Sequence, residues 1–252
     1  MNSGEFDDKV VLVTGAASGL GQAASIRFAA EGAKLCLVDL NGEGLAETAK
    51  TIGDAGGVCV TLTVDLGEQA NCAAAVAKAI DAFGRLDVLC NIAGMLRVHP
   101  LAEISVADWD RLLSSNISAP FFMMQAAMPH LVASKGNIVN VVSTAAFHGQ
   151  AYTAPYAATK SALLSLTRSF AMEFMHQPVR INALAPGGML TPMATGLKIP
   201  DNLEMDLVGR YMGLRPPSDV EEIVSPLLFL ASDRARSVHG ACYAADNGGT
   251  AG

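Results

Sequence analysis

Short apolar runs alternate with segments of helical periodicity along most of the chain. The apolar runs, which predict strands, span 10–13, 34–38, 58–64, 86–90, 138–142 and 179–184, with a last one within 242–246. Segments with apolar residues every three or four positions predict helices at 23–32, 44–55, 68–83, 105–133, 155–176 and 219–231. Such alternation is typical of an α/β fold built on a parallel sheet.

The chain reads as one domain over residues 1–252, because no repeat, low-complexity tract or linker divides it. One stretch, 187–217, shows little regular periodicity. Irregular segments of this length inside a compact domain are usually functional, so we expect a substrate-binding lid there. Its methionines and leucines are equally compatible with packing against a partner subunit.

Composition narrows the class of partners. The net charge is −7 and there is no basic run, which disfavours nucleic acid and anionic membranes. No apolar run reaches the ~18 residues that a membrane span needs. The acidic, polar start carries no secretory pattern, so we expect a cytoplasmic protein. Charged residues make up only 16% of the chain, which suggests extra buried surface, as in an obligate oligomer.

The five cysteines and five histidines do not suggest a metal site. The cysteines are widely spaced, with no C-x-x-C pair, and most fall in apolar runs. We expect buried, reduced thiols and no metal.

A glycine-rich turn follows the first predicted strand. Gly15, Gly19 and Gly21 lie between that strand and a helix, in the spacing G-x-x-x-G-x-G rather than G-x-G-x-x-G. Glycines in this context let a backbone approach a pyrophosphate at the positive end of a helix. A purely structural turn is the alternative.

The second predicted strand ends at Asp39, 18 residues after Gly21. A carboxylate at about that distance fits one that accepts hydrogen bonds from both ribose hydroxyls of an adenosine. It would repel a 2′-phosphate, and no Arg or Lys at 16–20, 40 or 41 would attract one, so NAD is favoured over NADP. Alternatively, Asp39 is a turn residue before Asn41.

Two further polar residues lie just past strand ends, where ligands bind in open α/β sheets. Asp65 is placed to accept from an adenine amine, or else to cap the next helix. Asn91, with Ala93 and Gly94 behind it, suits a small-residue floor under a flat ring, or else a simple turn.

Asn116 lies in an otherwise apolar part of the predicted helix 105–133. Pro120, four residues later, cannot donate to its carbonyl, so that carbonyl is freed. A carbonyl without a helical donor, next to a side-chain amide, can bind an ordered water. A kinked helix with a polar neighbour is the alternative.

Three residues suggest acid–base chemistry. Ser143 closes the fifth apolar run, and Tyr156 and Lys160 are four positions apart at the start of the next helix, on one face. A nearby ammonium should lower the pKa of the phenol, and the serine hydroxyl would bind the same substrate oxygen. The alternative is an ordinary helix with an exposed lysine and a half-buried tyrosine.

Taken in order, these motifs resemble the short-chain dehydrogenase/reductase family over essentially the whole chain. The resemblance rests on T-G-x-x-x-G-x-G at 14–21, Asp39, Asp65, N-x-A-G at 91–94, Asn116, Ser143, Y-x-x-x-K at 156–160 and Pro186-Gly187. It implies a single Rossmann-type, doubly wound parallel sheet of about seven strands with helices on both faces. It also implies a homotetramer, or else a dimer, in which the Tyr/Lys helix packs against its twin.

The resemblance assigns roles to matching residues. Four residues would hold the pyrophosphate of the cofactor: Gly15, Ser18, Gly19 and Leu20. Asp39 would bind the adenosine ribose, and Asp65 and Leu66 the adenine. The cofactor would lie on a floor of Asn91, Ala93 and Gly94, with its nicotinamide beside Pro186, Gly187 and Thr191. Tyr156 would be the acid/base and Ser143 would hold the substrate oxygen. Lys160 would lower the tyrosine pKa and bind the nicotinamide ribose, and Asn116 would fix a water that relays protons.

We therefore expect an NAD-dependent oxidoreductase that acts on a secondary alcohol or its ketone. Apolar residues suggest a hydrophobic steroid, terpenoid or aryl alcohol; the substrate candidates are Ser143, Met95, Gln150, Met189 and Met193, with Leu96, His148 and Tyr152 nearby. Alternatives are a 3-oxoacyl-thioester reductase, disfavoured by Asp39 and the negative charge, and a catalytically silent NAD-binding regulator or scaffold. One departure, Asp246-Asn247-Gly248-Gly249 where relatives read Asp-Gly-Gly, is expected to touch oligomer contacts rather than chemistry.

Overall fold

The computed structural model describes residues 4–251, and its centre is a seven-stranded, all-parallel sheet. The strands are β1 (Val10–Thr14), β2 (Lys34–Asp39), β3 (Val58–Thr63), β4 (Val88–Asn91), β5 (Asn137–Val141), β6 (Arg180–Pro186) and β7 (Cys242–Ala245). Their order across the sheet is β3-β2-β1-β4-β5-β6-β7. The chain thus winds outward from β1 in one direction and from β4 in the other, which opens a crevice at the carboxyl ends of these two strands.

Helices cover both faces of the sheet, as the alternating pattern predicts. They are α1 (Gly19–Ala30), α2 (Gly42–Asp54), α3 (Gln69–Phe83), α4 (Val106–Leu113), α5 (Ala119–Ser134), α6 (Ala154–Glu173), α7 (Pro192–Thr195), α8 (Met205–Gly209) and α9 (Val220–Ala231). Side chains of α1, α2 and α9 form the core on one face. Those of α3, α5 and α6 form the core on the other. The predicted Rossmann-type fold is confirmed.

The predicted helix 105–133 is present, but it is not regular throughout. Between α4 and α5, residues Ser114–Ser118 form a π turn, in which the Ala119 N–H donates to the Ser114 carbonyl, five residues back. The backbone stays in the right-handed helical region on both sides of this turn. Pro120, the second residue of α5, has no N–H to donate to the preceding turn. Asn116 therefore lies in an irregular turn within a helix that continues past it.

The five cysteines are unpaired, and three of them are fully buried. Burial raises the pKa of Cys36 to about 12 and that of Cys72 and Cys242 to about 11, which keeps these thiols protonated. Within residues 4–251, no helix is long and apolar enough to cross a bilayer. No group of three or more His, Cys, Asp or Glu in that range is arranged to hold a metal ion.

Candidate active site

A cavity of about 480 Å³ opens at the carboxyl edge of the sheet, and most of the predicted site residues line it. The predicted residues in its wall are Gly15, Ser18, Gly19, Leu20, Asp39, Asp65, Leu66, Ala93, Gly94, Met95, Ser143, Tyr156, Lys160, Pro186, Gly187, Met189, Thr191 and Met193. Three others, Asn91, Asn116 and Gln150, are not in the wall. The strands that carry these residues end at one edge because the sheet is wholly parallel.

The glycine turn brings the N-terminus of α1 to the cavity. Gly15 and Gly19 have φ of 73° and 52°, and a Cβ on Gly15 would lie 3.0 Å from the Ala93 backbone. Ser18 is the N-cap residue of α1, but its hydroxyl makes no capping hydrogen bond and is exposed at the cavity. A helix N-terminus with an uncommitted serine suits an anion such as a pyrophosphate. The residues present therefore fit a dinucleotide.

The Asp39 carboxylate holds the glycine-rich turn in place and can still accept further hydrogen bonds. Its Oδ2 accepts from the Ala17 N–H at 3.1 Å and its Oδ1 from the Asn41 N–H at 2.9 Å. The turn role considered for Asp39 is thus real, but each oxygen retains a second lone pair. The carboxylate stays partly exposed at the cavity, where a ribose diol could also donate to it.

Asp65 does not cap α3. That helix begins after Glu68, and the Asp65 carboxylate instead accepts from the Gly67 N–H at 2.9 Å and from Arg111 at 2.8 Å. The capping interpretation is wrong because the helix starts one turn later. Arg111, on α4, lines the same cavity and was not foreseen, since nothing in the sequence links a position 46 residues away to Asp65.

Asn91 lies behind the cavity wall rather than in it. Its side chain is buried and donates to Asn140 Oδ1 at 2.8 Å, and Asn140 donates in turn to Thr167 Oγ1 at 2.9 Å. This buried network joins β4, β5 and α6. Of the three residues predicted as a floor, only Ala93 and Gly94 line the cavity. Their loop is held by Thr14, whose Oγ1 accepts from the N–H groups of Ile92 and Ala93 at 3.0 Å. From the sequence alone, Thr14 has no predicted role of its own.

The Asn116 side chain joins three elements. Its Oδ1 accepts from the Met95 N–H at 2.9 Å, and its Nδ2 donates to the Met95 carbonyl at 2.9 Å and to Thr159 Oγ1 at 3.0 Å. Thr159 also donates to the Tyr156 carbonyl at 2.7 Å. Asn116 thus fixes the loop after β4 against α6, directly behind the residues that line the cavity.

Ser143, Tyr156 and Lys160 converge at one place in the wall. Ser143 follows β5, and its hydroxyl lies close enough to the Tyr156 phenol to affect the pKa of the phenol. Lys160, one turn along α6, is buried; its Nζ lies 5.7 Å from the Tyr156 ring centre and donates to the Val141 carbonyl at 2.9 Å. The ordinary-helix alternative, with an exposed lysine, is therefore wrong.

The pKa of Tyr156 moves opposite to the sequence expectation. Burial raises the pKa of the phenol, and the nearby Ser143 hydroxyl opposes that shift only in part. Burial also lowers the pKa of the Lys160 ammonium to about 8. The expectation of a depressed tyrosine pKa considered charge alone, whereas the loss of hydration dominates in this wall.

The candidate substrate residues divide into two groups. Met95, Met189 and Met193 line the cavity beside Ser143 and Tyr156. Gln150 instead hydrogen-bonds to His148 and Thr153. Tyr152, whose φ of 67° is rare for a side chain of its size, accepts from the Glu204 N–H at 3.1 Å. Tyr152 therefore contacts the 187–217 segment through the backbone of Glu204.

Asn247, in the stretch that the sequence analysis expects at an oligomer contact, bonds within the chain to that same segment. The Asn247 Nδ2 donates to the Pro216 carbonyl at 3.1 Å and to Ser218 Oγ at 3.0 Å. Ser218 pairs with Gly188 and Leu190 at the other end of the segment. Asn247 thus holds the base of a loop that carries Met189, Thr191 and Met193 into the cavity.

Comparison with known proteins agrees with this geometry. A family model described as short chain dehydrogenase matches residues 9–201. The 2,5-dichloro-2,5-cyclohexadiene-1,4-diol dehydrogenase LinX of Sphingobium indicum is 38% identical over 246 residues, which cover 97% of each chain.

Solved structures are similar over nearly the full length. Carveol dehydrogenase from Mycobacterium avium, in complex with NAD, matches with a TM-score of 0.88 and 28% identity, covering 99% of this chain and 100% of that one. A protein described as an NAD(P)-dependent gluconate 5-dehydrogenase from Beutenbergia cavernae, with NADP at low occupancy, matches with a TM-score of 0.87 and 33% identity, covering 98% of each chain.

Proposed function

The chain belongs to the short-chain dehydrogenase family, whose members are oxidoreductases of alcohols and ketones, and we propose that it uses NAD and a hydrophobic secondary alcohol. The observation that carries the proposal is that Ser143, Tyr156 and Lys160 line the wall of one cavity, with the Lys160 Nζ 5.7 Å from the Tyr156 ring centre. These groups converge where a substrate oxygen would have to lie between them.

Each residue has a defined task. The Ser143 hydroxyl holds the substrate oxygen. The Tyr156 phenol gives its proton to the ketone oxygen in reduction, and its phenolate takes the hydroxyl proton of the alcohol in oxidation. Lys160 supplies a buried ammonium beside the phenol, while Asn116 fixes α6 and the loop after β4 in register. When bound, the nicotinamide supplies the hydride acceptor or donor. Gly15, Ser18, Asp39 and Thr191 would hold the dinucleotide along the cavity.

NAD rather than NADP is supported by Asp39. Its carboxylate stands at the end of β2, already bonded to two backbone N–H groups, so it is fixed in place and would repel a 2′-phosphate. The variant Asp39→Asn keeps the size of the side chain and removes its charge. We expect it to bind NADP more tightly than the wild type; an unchanged preference between the two cofactors would contradict the role.

A hydrophobic substrate is supported by the three methionines that line the cavity beside Tyr156. Thioether side chains adapt to apolar substrates of different shape. The carveol and cyclic-diol dehydrogenases among the similar proteins act on cyclic alcohols, so a panel of cyclic, aryl and steroid alcohols with NAD is the first assay. Adding an acetoacetyl thioester with reduced cofactor tests the thioester-reductase alternative.

Replacing Tyr156 by Phe tests the mechanism. Loss of the phenol oxygen should lower turnover at least ~100-fold, because general acid–base groups contribute about that much or more. The dissociation constant for NAD should change by no more than about twofold, since one hydrogen-bonding group is a small part of a dinucleotide site. Formation of reduced cofactor is followed by absorbance.

The matched control is Tyr243→Phe. Tyr243 is an exposed residue of β7 outside the cavity wall, and its loss of a phenol oxygen should leave turnover unchanged. If Tyr156→Phe retained wild-type turnover with every substrate that the protein accepts, the proposed mechanism would be refuted. A protein that binds NAD but converts none of the panel would instead favour the silent-regulator alternative.

A further inference from the structure

Five charged side chains line the cavity, and the proposed function leaves two of them without a task. Asp39, Asp65 and Lys160 have roles in cofactor binding or catalysis, whereas Arg97 and Arg111 do not. Both arginines have side chains that are about half exposed, 48% for Arg97 and 49% for Arg111. Their ion-pair partners differ, because Arg111 pairs with Asp65 and Arg97 pairs with Asp108.

Arg111 holds the carboxylate of Asp65, and both residues line the cavity. Its guanidinium donates to Asp65 Oδ2 at 2.8 Å, while Asp65 Oδ1 accepts from the Gly67 N–H at 2.9 Å. A second bond, from Ser114 Oγ to the Gly67 carbonyl at 3.2 Å, joins the same two segments. The loop after β3 is thus tied to α4 and to the π turn that carries Asn116.

These contacts orient the Asp65 carboxylate and leave it able to accept further hydrogen bonds. A carboxylate can accept about four hydrogen bonds, and two are used. The ion pair is too exposed to add much to stability, since such pairs are typically worth less than about 1 kcal/mol. Its effect is therefore on geometry: with one oxygen held by Arg111 and the other by the backbone, the carboxylate plane cannot rotate.

We propose that Arg111 is a positioning residue for the adenine base, which fixes Asp65 so that its carboxylate accepts a hydrogen bond from the exocyclic amine. Asp39 is the last residue of β2, and Asp65 lies two residues past the end of the adjacent strand β3, so an adenosine with its ribose at Asp39 would have its base beside Asp65. The pair would make the protein select adenine over a base with a carbonyl oxygen at that position. This inference rests on the proposed use of a dinucleotide.

The test compares NAD with its hypoxanthine analogue, in which a carbonyl oxygen replaces the 6-amino group. Dissociation constants are measured by titration calorimetry for the wild type and for Arg111→Met, which keeps an apolar stem but removes every donor. We expect the wild type to prefer NAD by roughly tenfold, as a hydrogen bond to a charged group would give, and the variant to prefer it by roughly twofold or less.

Arg97→Met is the matched control. Arg97 also lines the cavity, but its Nε lies 3.6 Å from Asp108 and it has no bond to Asp65. Its replacement should leave the ratio of the two dissociation constants as in the wild type. Thermal midpoints of all three proteins should agree closely, because neither ion pair is buried.

The outcomes separate the two proposals. A ratio that falls in Arg111→Met and not in Arg97→Met supports the inference. Equal weakening of both dinucleotides, or no change in either, overturns it, because Arg111 would then act on a shared part of the ligand or not at all. A wild type that binds NADP instead is tested with NADP and its hypoxanthine analogue, whereas one that binds no dinucleotide refutes the proposed function itself.

Discussion

At the scale of single residues, the sequence predicts which groups react, but it does not predict their protonation. The spacing of Tyr156 and Lys160 and the position of Ser143 after an apolar run indicate a shared site. The direction of each pKa depends on how deeply the groups are buried, which the sequence does not state. Burial raises the pKa of Tyr156 and lowers that of Lys160.

Burial of Lys160 predicts a pH-dependent stability. The folded protein releases the Lys160 proton at a pKa of about 8, whereas the unfolded chain keeps it up to the ordinary value of 10.5. The unfolded state therefore binds more protons between these two pH values, so wild-type stability rises as pH increases across that window. Relative to Lys160→Met, the wild type should gain up to roughly 3 kcal/mol from pH 7 to 10.5.

Urea unfolding of the two proteins between pH 7 and 10.5 measures this gain. Other titrating groups shift both curves alike, so the difference between the proteins isolates Lys160. Parallel stability curves over the whole range would mean that the lysine titrates normally in the folded state.

Gly94 predicts a second single-residue effect. A Cβ at this position would lie 3.2 Å from Asn116 Oδ1 and 3.4 Å from Lys160 Nζ. We expect Gly94→Ala to displace the Asn116 amide by a few tenths of an ångström and to lower turnover by roughly tenfold or more, with a small loss of stability. Turnover and thermal midpoint are compared with those of Gly53→Ala, an α2 glycine whose added Cβ meets nothing within 4 Å. Equal turnover in the two variants would argue against the displacement.

At the scale of elements, the sequence predicts where helices and strands lie, but not how they are interrupted. The periodicity of 105–133 is continuous, and only the structure reveals the π turn at Ser114–Ser118. The turn places Asn116 where its amide can bond both to the Met95 backbone and to Thr159 on α6. Those partners are distant in sequence, so no local pattern announces them.

The 187–217 segment is irregular in sequence, yet it is fixed at its base and along its length. Tyr211 donates to the Ala151 carbonyl at 3.0 Å and Asn202 to Glu103 at 2.9 Å, in addition to the contacts of Tyr152 and Asn247. We propose that it acts as the substrate-binding lid, because Met189 and Met193 line the cavity from it.

The contacts of Asn247 predict an effect on this segment. Asn247 has a φ of 55°, which glycine adopts without strain, so Asn247→Gly removes two side-chain hydrogen bonds and keeps the backbone. We expect faster proteolytic cleavage within 187–217 and a several-fold higher KM for the alcohol, because each lost bond is worth ~1 kcal/mol. Cleavage sites are identified by mass spectrometry, and unaltered cleavage would show that Asn247 does not hold the segment.

At the scale of the whole molecule, parallel topology explains why distant residues share one cavity. All seven strands end at the same edge, so side chains that follow β1 to β6 meet there. On α6, Tyr156 and Lys160 face the cavity, and the opposite side of the helix is exposed. That exposed side carries small residues, among them Ala158, Ser161, Ser165 and Ser169.

We propose that this exposed side packs against α6 of a second copy in a homotetramer, as in the family that the chain resembles. Small residues allow helix axes to approach to about 8 Å. An arginine at Ser165 is harmless in a single copy and would separate the two helices, so Ser165→Arg should lower the particle mass in light scattering. Thr51→Arg, on the exposed side of α2, is the control. A mass unchanged by Ser165→Arg would refute this packing.

The sequence by itself determined the alternation of strands and helices, the family, and most of the residues that face the cavity. It could do so because apolar periodicity and ordered motifs are local properties of the chain. Only the tertiary structure decided that Arg111 holds Asp65, that Asn91 lies behind the wall, and that the Tyr156 pKa is raised. Each of these depends on contacts between segments or on burial, and neither quantity is encoded in spacing along the chain.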